Sequence, residues 1–188
     1  LGVPVHSLLG GRLRDRVRLY ANINRKKGLT PTPTGFAEAA QEAVTEGFTA
    51  VKFYPFWGLM DGTSVVDGKM REEIIDEGIA RTRAVRKIVG PNVDVLLQLP
   101  PYDMNFEQMV ELAESLSEFK PFWYQTTFPN CEDNARFVQS TSIPVASPAR
   151  GCFSPDRRQW RQYLEKEAMN ITNPDLMSVG GLWHMKKI

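Results

Sequence analysis

Short apolar runs alternate with longer amphipathic stretches along most of the chain. The apolar runs have the length of strands, and the amphipathic stretches have the spacing of helices with one buried face. The predicted strands are Arg16–Ala21, Phe48–Tyr54, Val93–Leu99, Phe122–Thr126, Ile143–Ser147 and Met169–Thr172. The predicted helices are Phe36–Glu46, Arg71–Val89, Asn105–Phe119, Glu132–Ser140 and a helix that runs from the Ser154-Pro155-Asp156 cap to Glu167.

Glycine and proline mark the ends of these elements. Gly47 ends the first long helix, and Gly90-Pro91 ends the second. Pro55–Gly68 is predicted to be a long loop, residues 1–16 a turn-rich segment, and Gly180-Gly181 the start of a last, short helix. The predicted buried face of the third long helix consists of Met104, Met109, Leu112 and Leu116.

A strand that is apolar throughout and is followed by a helix is typical of a parallel sheet with both faces covered. The β-α alternation is compatible with a doubly wound sheet or with a (β/α) barrel. The glycine-rich phosphate-binding patterns GxGxxG and GxxxxGK[ST] are absent, which makes a doubly wound, nucleotide-binding sheet the less favoured interpretation. The sequence shows no internal repeat, so we predict one domain over residues 1–188.

Composition and charge exclude several classes of partner. The chain has 188 residues, of which 42% are hydrophobic, and its net charge is +1. With so little net charge, the chain has no positive electrostatic field that would attract nucleic acid or an acidic membrane. No apolar run reaches the length of a membrane-spanning helix. A signal pattern is absent, and Cys131 and Cys152 lack metal-ligand spacing. Two free thiols in the cytoplasm are therefore expected, although a disulfide remains open.

Four segments carry a resemblance to one family. They are Leu1–Gly11, Gly47–Phe53, Ser142–Ala146 and Asn173–Gly181. In order and spacing they resemble the end of the helix before the barrel, and the second, fifth and sixth barrel strands, of mandelate racemase/muconate lactonizing enzyme type proteins in the enolase superfamily. Within that superfamily, Ala21–Arg25 and Val51–Phe56 look most like the sugar-acid dehydratases.

This resemblance implies an eight-stranded (β/α) barrel with its active site at the carboxyl ends of the strands. The chain offers about six of the eight strands and lacks the capping domain of the family. We therefore expect a truncated TIM-type barrel with two open edges. Open edges favour pairing with another chain, so we expect a homodimer or larger homo-oligomer that covers them.

The family holds Mg²⁺ with carboxylates at the ends of the third, fourth and fifth strands, and the cation stabilises an enediolate. In this sequence the three corresponding positions are Gln98, Gln125 and Ala149. An amide oxygen can bind a metal, but it lacks the charge that makes a magnesium site tight. The resemblance therefore predicts a chain without a Mg²⁺ site, and we expect no cofactor.

Three residues are the predicted catalytic groups. Lys52 and Tyr54 lie where the second strand of the family ends in Lys-x-Lys, and Asp175 matches an Asp that orients a catalytic His. Lysine and tyrosine serve as acid or base when their pKa is tuned. The alternative is structural, with Lys52 and Asp175 paired across the barrel mouth. His6 and His184 are interpreted as surface or packing residues.

A second group of residues is predicted to bind substrate. It consists of Asn22, Asn24, Trp57, Gln98, Tyr102, Gln125 and Arg150. A guanidinium such as that of Arg150 can bind a substrate carboxylate through two hydrogen bonds, although an ion pair at the barrel rim is the commoner role. The aromatic residues form either a wall over the site or ordinary loop packing.

Three hypotheses follow. The first is a metal-independent lyase, isomerase or cyclase that acts on a small organic substrate in the strand-end pocket. The second is a catalytically silent pseudoenzyme that binds or scaffolds. The third is a nonfunctional fragment of an active parent.

Overall fold

Helices and strands alternate along the parts of the chain that the computed structural model describes, which are residues 2–100, 104–147 and 157–188. In chain order the elements are α1 Val5–Leu8, β1 Ala21–Asn22, a 3₁₀ helix Ile23–Arg25, α2 Pro33–Thr45, β2 Ala50–Phe53, β3 Val65–Val66, β4 Lys69–Met70, α3 Glu72–Val89, β5 Asp94–Gln98, α4 Phe106–Ser117, β6 Trp123–Gln125, α5 Cys131–Ser140, β7 Val145–Ser147, α6 Arg157–Glu165, β8 Ile171–Thr172 and α7 Leu182–Lys187.

Six of the strands form one parallel sheet in the order β1-β2-β5-β6-β7-β8. The strand order follows the chain order throughout, whereas the strand order of a doubly wound sheet reverses at a switch point. The sheet is therefore that of a (β/α) barrel left open between β1 and β8. This confirms the predicted truncated barrel of α/β class with about six strands.

The main hydrophobic core lies between the sheet and the helices. Val51 and Phe53 of β2 face this layer, and the Phe53 ring lies 5.6 Å from the ring of Phe36 on α2. The same core contains the predicted buried face of α4, because Met104, Met109, Leu112 and Leu116 are all buried in it. Alternate residues of each strand point to the opposite side, which is the barrel interior.

The first predicted strand was wrong, because residues 13–20 form no strand and pairing begins only at Ala21. We call residues 13–20 the strap. Its anchor is Arg18, which donates hydrogen bonds to Oγ1 and the carbonyl of Thr49, at 3.0 and 2.9 Å, and forms an ion pair of 2.6 Å with Asp94. These side-chain bonds hold the strap across the amino ends of β2 and β5. The alternation of charged and apolar residues in the strap therefore does not come from strand pairing through the backbone.

The predicted Pro55–Gly68 loop contains the first strand of a hairpin that the prediction missed. β3 and β4 pair antiparallel, with Val66 opposite Lys69 and a two-residue turn between them. Asp67 and Gly68 both have positive φ, of 50° and 74°, as a type I′ turn requires. The Asp-Gly pair is the sequence signal for this turn.

The other boundaries within the described residues agree with the prediction to within three residues. Thr32, Asn105 and Asn130 cap α2, α4 and α5 by accepting a hydrogen bond from a backbone N–H in the first turn. The predicted short helix after Gly180-Gly181 is confirmed as α7. The predicted Ser154-Pro155-Asp156 cap lies outside the described residues.

Candidate functional site

Lys52 lies in the barrel interior. Its strand neighbours Val51 and Phe53 pack in the helix layer, so the Lys52 side chain points to the other side of the sheet. The residue is 7% exposed, and burial lowers the pKa of its ammonium group to about 8. The structure shows no ion pair between Lys52 and any residue that it describes. The site therefore contains a desolvated amine without a carboxylate beside it.

An aromatic ring of the strap covers this amine. The Lys52 Nζ lies 5.7 Å from the centroid of the Tyr20 ring, within the range of a cation–π interaction. Tyr20 also meets the Trp123 ring of β6 edge to face, at 6.1 Å between centroids. The strap thus closes this end of the interior over Lys52. The sequence analysis did not predict a role for Tyr20. The signal that could have indicated it is an aromatic residue directly before the first strand.

Gln98 and Gln125, two of the three metal-ligand positions, lie side by side. They are register partners at the carboxyl ends of β5 and β6. Gln125 is 6% exposed, and its buried Oε1 accepts no hydrogen bond from the residues that the structure describes. A buried acceptor without a donor is costly, so this atom is suited to a donor on a ligand.

These residues do not fit the magnesium ion that the family resemblance implies. Both amides are neutral, and Mg²⁺ is bound in proteins mainly through carboxylates. Within residues 2–100, 104–147 and 157–188, no three His, Cys, Asp or Glu side chains cluster so that they could hold a metal. The third position, Ala149, lies outside the described residues and carries only a methyl group. The donor chemistry thus argues against a tight magnesium site at the described positions.

Asp175 stabilises the turn that precedes α7. Its carboxylate accepts hydrogen bonds from Ser178 Oγ at 2.7 Å and from the Met177 N–H at 3.3 Å. The structure does not pair it with Lys52, so the structural alternative for these two residues gains no support. A catalytic role for Asp175 remains a prediction.

Tyr54 is held at the end of β2 by Asn24. The Tyr54 N–H donates to Asn24 Oδ1 at 2.6 Å, and Asn24 Nδ2 donates to the Tyr54 carbonyl at 3.4 Å. These two bonds continue the ladder between β1 and β2 with a side chain in place of a strand. The Tyr54 ring packs edge to face against Phe56 at 5.6 Å. Asn24 therefore holds the backbone of Tyr54 in place. Asn22, which is exposed, is the register partner of Lys52.

The remaining predicted binding residues are not brought into the interior by the described structure. Trp57 is 51% exposed on the loop after β2. Tyr102 and Arg150 lie outside the described residues. The structure therefore groups Asn22, Lys52, Gln98 and Gln125 on one face of the sheet. For the other predicted binding residues a role remains a prediction.

Arg81 holds together the loops at the carboxyl ends of the first two strands. It is 1% exposed on α3 and donates to the carbonyls of Pro55, at 3.0 Å, and Trp57, at 2.7 Å, and also to that of Pro31. An ion pair of 2.9 Å with Glu77 balances its charge. The prediction missed Arg81, although an arginine among the buried positions of α3 was a visible signal.

Residues 35–188 match the model of the family described as enolase C-terminal domain-like. The chain belongs to this family, and it falls among mandelate racemase/muconate lactonizing enzyme type barrels whose curated relatives are sugar-acid dehydratases. The predicted family is thereby confirmed.

Two curated relatives illustrate the likeness. The chain is 31% identical to a D-gluconate dehydratase of Thermoproteus tenax, with 100% of this chain and 36% of the relative aligned. It is 28% identical to a D-gluconate/D-galactonate dehydratase of Picrophilus torridus, with 100% and 45% aligned. The chain thus spans less than half the length of these relatives.

Solved structures agree. A member of the enolase superfamily from Salmonella Typhimurium has a TM-score of 0.86 at 26% identity, over 100% of this chain and 50% of that one. A mandelate racemase/muconate lactonizing enzyme-like protein from Rubrobacter xylanophilus has a TM-score of 0.82 at 29% identity, over 98% and 50%. No helix in the described part of the chain is both long enough and apolar enough to cross a membrane.

Proposed function

We propose that this chain is a metal-independent lyase or isomerase that acts on a small hydroxy acid at the carboxyl ends of the barrel strands. The observation that carries the proposal is the buried amine of Lys52, which forms no ion pair with any described residue and lies on the same face of the sheet as Gln98 and Gln125. The curated relatives are named for dehydration of D-gluconate, D-galactonate and D-xylonate, so sugar acids are the first substrate class to test.

Lys52 supplies the acid–base chemistry of this proposal. A pKa of about 8 keeps both protonation states populated near neutral pH, as a general acid or base requires. The neutral amine takes a proton from the carbon next to the substrate carboxylate. The resulting ammonium then stabilises the negative charge left on the substrate, because it is desolvated and close by.

The amide pair supplies recognition rather than charge. Gln98 and Gln125 carry both hydrogen-bond donors and acceptors at the rim of the interior. Hydroxyl groups of a sugar acid satisfy such amides, and the orphan Oε1 of Gln125 accepts from one of them.

The test is turnover of a sugar-acid panel by the full chain in EDTA and in added Mg²⁺. We expect product in EDTA and a loss of kcat of at least about 100-fold in Lys52→Met. Lys87→Met, which removes an exposed lysine of α3, is the matched control and keeps full activity. Turnover that needs Mg²⁺, or that survives Lys52→Met, would contradict the proposal.

A non-catalytic binding protein is the second candidate, and a specific observation favours it. Tyr20 covers Lys52, and the amides at Gln98 and Gln125 remove the negative charge that a metal needs. Under this reading the sugar acids raise the Tm of the chain while none is converted. Product formation with any panel member excludes it.

We also propose that a second copy of the chain covers the open edges of the sheet. In the described structure β1 and β8 each pair with one strand only. Large apolar side chains are exposed near both edges, on the strap and around α7: Leu13, Val17, Leu19, Met177 and Trp183.

The buried, free thiol of Cys131 supports a reducing, cytoplasmic location.

A further inference from the structure

We propose that Lys52 forms a covalent imine with the carbonyl group of a hydroxylated aldehyde or 2-oxo acid bound in the barrel interior. This activity goes beyond the proposed function, because proton transfer by Lys52 requires no bond between its nitrogen and the substrate. Three features of the described residues support it: the buried position of the Lys52 amine, the lack of an ion pair between this amine and a carboxylate, and the buried Oε1 of Gln125 that accepts no hydrogen bond.

Lys52 differs from every other lysine of the chain in its burial. The other eight lysines are exposed, and two of them, Lys26 and Lys166, are neutralised by ion pairs with Glu42 and Glu132. Lys52 is 7% exposed and contacts the Tyr20 ring instead of a carboxylate. A carboxylate would hold this amine protonated, and its absence leaves the nitrogen available as a nucleophile.

The reaction is balanced without any further reagent. The neutral Nζ attacks the carbonyl carbon, and one proton moves from the nitrogen to the carbonyl oxygen to give the carbinolamine. The second nitrogen proton and the hydroxyl group then leave as one water when the C=N bond forms. Burial lowers the pKa of Lys52 to about 8, so about a tenth of the amine is neutral at pH 7. For a lysine at its ordinary pKa of 10.5 the neutral fraction is below about 0.1%.

The chemical class of the ligand follows from Gln125. Its Oε1 is buried without a donor and lies on the same face of the sheet as Lys52. Lys52 is the register partner of Leu96, and Gln125 is that of Gln98, two residues further along β5. Two strand spacings and two residue rises put the Cα atoms of Lys52 and Gln125 about 12 Å apart. A ligand of about three to six carbons bridges the two side chains if it carries a hydroxyl group.

Trapping of the imine tests the proposal. The full chain is incubated at pH 8 with D-glyceraldehyde or pyruvate and sodium cyanoborohydride, which reduces an imine to a stable amine. Intact mass and peptide mapping then locate the adduct. We expect the fastest lysine adduct at Lys52, with an initial rate at least about tenfold above that of any exposed lysine.

Three variants sharpen the result. Lys52→Met abolishes the fast lysine adduct, whereas Lys87→Met leaves it unchanged. Gln125→Leu reduces the preference for D-glyceraldehyde over propionaldehyde, which has the same carbon number and no hydroxyl. Unfolding curves of all three variants confirm that each one is folded.

Labelling that is spread over the exposed lysines, with Lys52 no faster than the rest, overturns the imine. An unchanged preference in Gln125→Leu overturns the hydroxylated ligand class. Trapping needs no turnover of sugar acids, so a chain that converts them without forming an adduct refutes this inference and leaves the proposed function standing.

Discussion

Lys52 shows how much a single residue depends on its strand. The alternation of β2 predicts the face on which Lys52 lies, and the structure places it there. That Lys52 forms no ion pair with the described residues could not be predicted, because the carboxylate of Asp175, more than 120 residues later in the chain, accepts hydrogen bonds within its own turn. Tyr20 and Arg81 were missed for the same reason, since their contacts join segments that are distant in sequence.

The pKa of Lys52 makes stability depend on pH. The pKa falls from 10.5 to about 8 on folding, so the unfolded chain binds more protons between these two values. Wild type therefore gains stability relative to Lys52→Met as pH rises from 8 to 10.5, by roughly 3 kcal/mol at most. Urea unfolding of both proteins across this range measures the difference. A constant difference between the two curves would show that burial does not shift this group.

Arg81 is the second residue whose replacement has a definite expected cost. Arg81→Lys keeps the charge but loses the planar fork that reaches three loop carbonyls. We expect a loss of about 3 kcal/mol of unfolding free energy and faster amide exchange in residues 55–57. The control is Arg83→Lys, an exposed arginine in a 3.5 Å ion pair with Glu118, for which the change is below about 0.5 kcal/mol. Equal effects in the two variants would disprove the special role of Arg81.

At the scale of elements, the helices were the most predictable and the first strand was the least. Helix ends are set locally by Thr32, Asn105 and Asn130, which the sequence displays. The strap alternates like a strand, yet Arg18 binds through its side chain to groups of β5 and the loop before β2. The local sequence pattern does not show whether such a segment pairs as a strand or binds through a side chain.

Gly78 sets how closely α3 approaches the loop after β2. A Cβ at this position would lie 2.2 Å from Cε1 of the fully buried Phe56. Gly78→Ala is expected to lower stability by about 3 kcal/mol, even though alanine favours a helix by about 1 kcal/mol over glycine. Thermal and urea unfolding measure the loss.

Gly62→Ala is the matched control, because nothing lies within 4 Å of a Cβ built at Gly62. Its stability should stay within about 1 kcal/mol of wild type. Adding Phe56→Leu to Gly78→Ala should restore part of the loss by making room. If both glycine variants behave alike, the close approach has no energetic consequence.

At the scale of the whole molecule, the open edges predict self-association. Light scattering behind size exclusion should give a mass of at least twice the 21.3 kDa of one chain. Trp183→Ser, at a residue 62% exposed on α7 after the edge strand β8, should shift the mass towards the monomer. Val66→Ser, at an exposed residue of the separate β3–β4 hairpin, should not. A single 21.3 kDa species at all concentrations would contradict the proposed second copy.

The strand order has a consequence for how the chain is made. Each strand of the main sheet pairs with the sheet strands before and after it in the chain, and α2 to α6 contact one another in the same sequence. During synthesis, a β–α unit that leaves the ribosome finds its neighbour already present and needs no segment that is still untranslated. We therefore expect the sheet to grow from β1 towards β8, with each new unit docking on the edge that the preceding strand exposes.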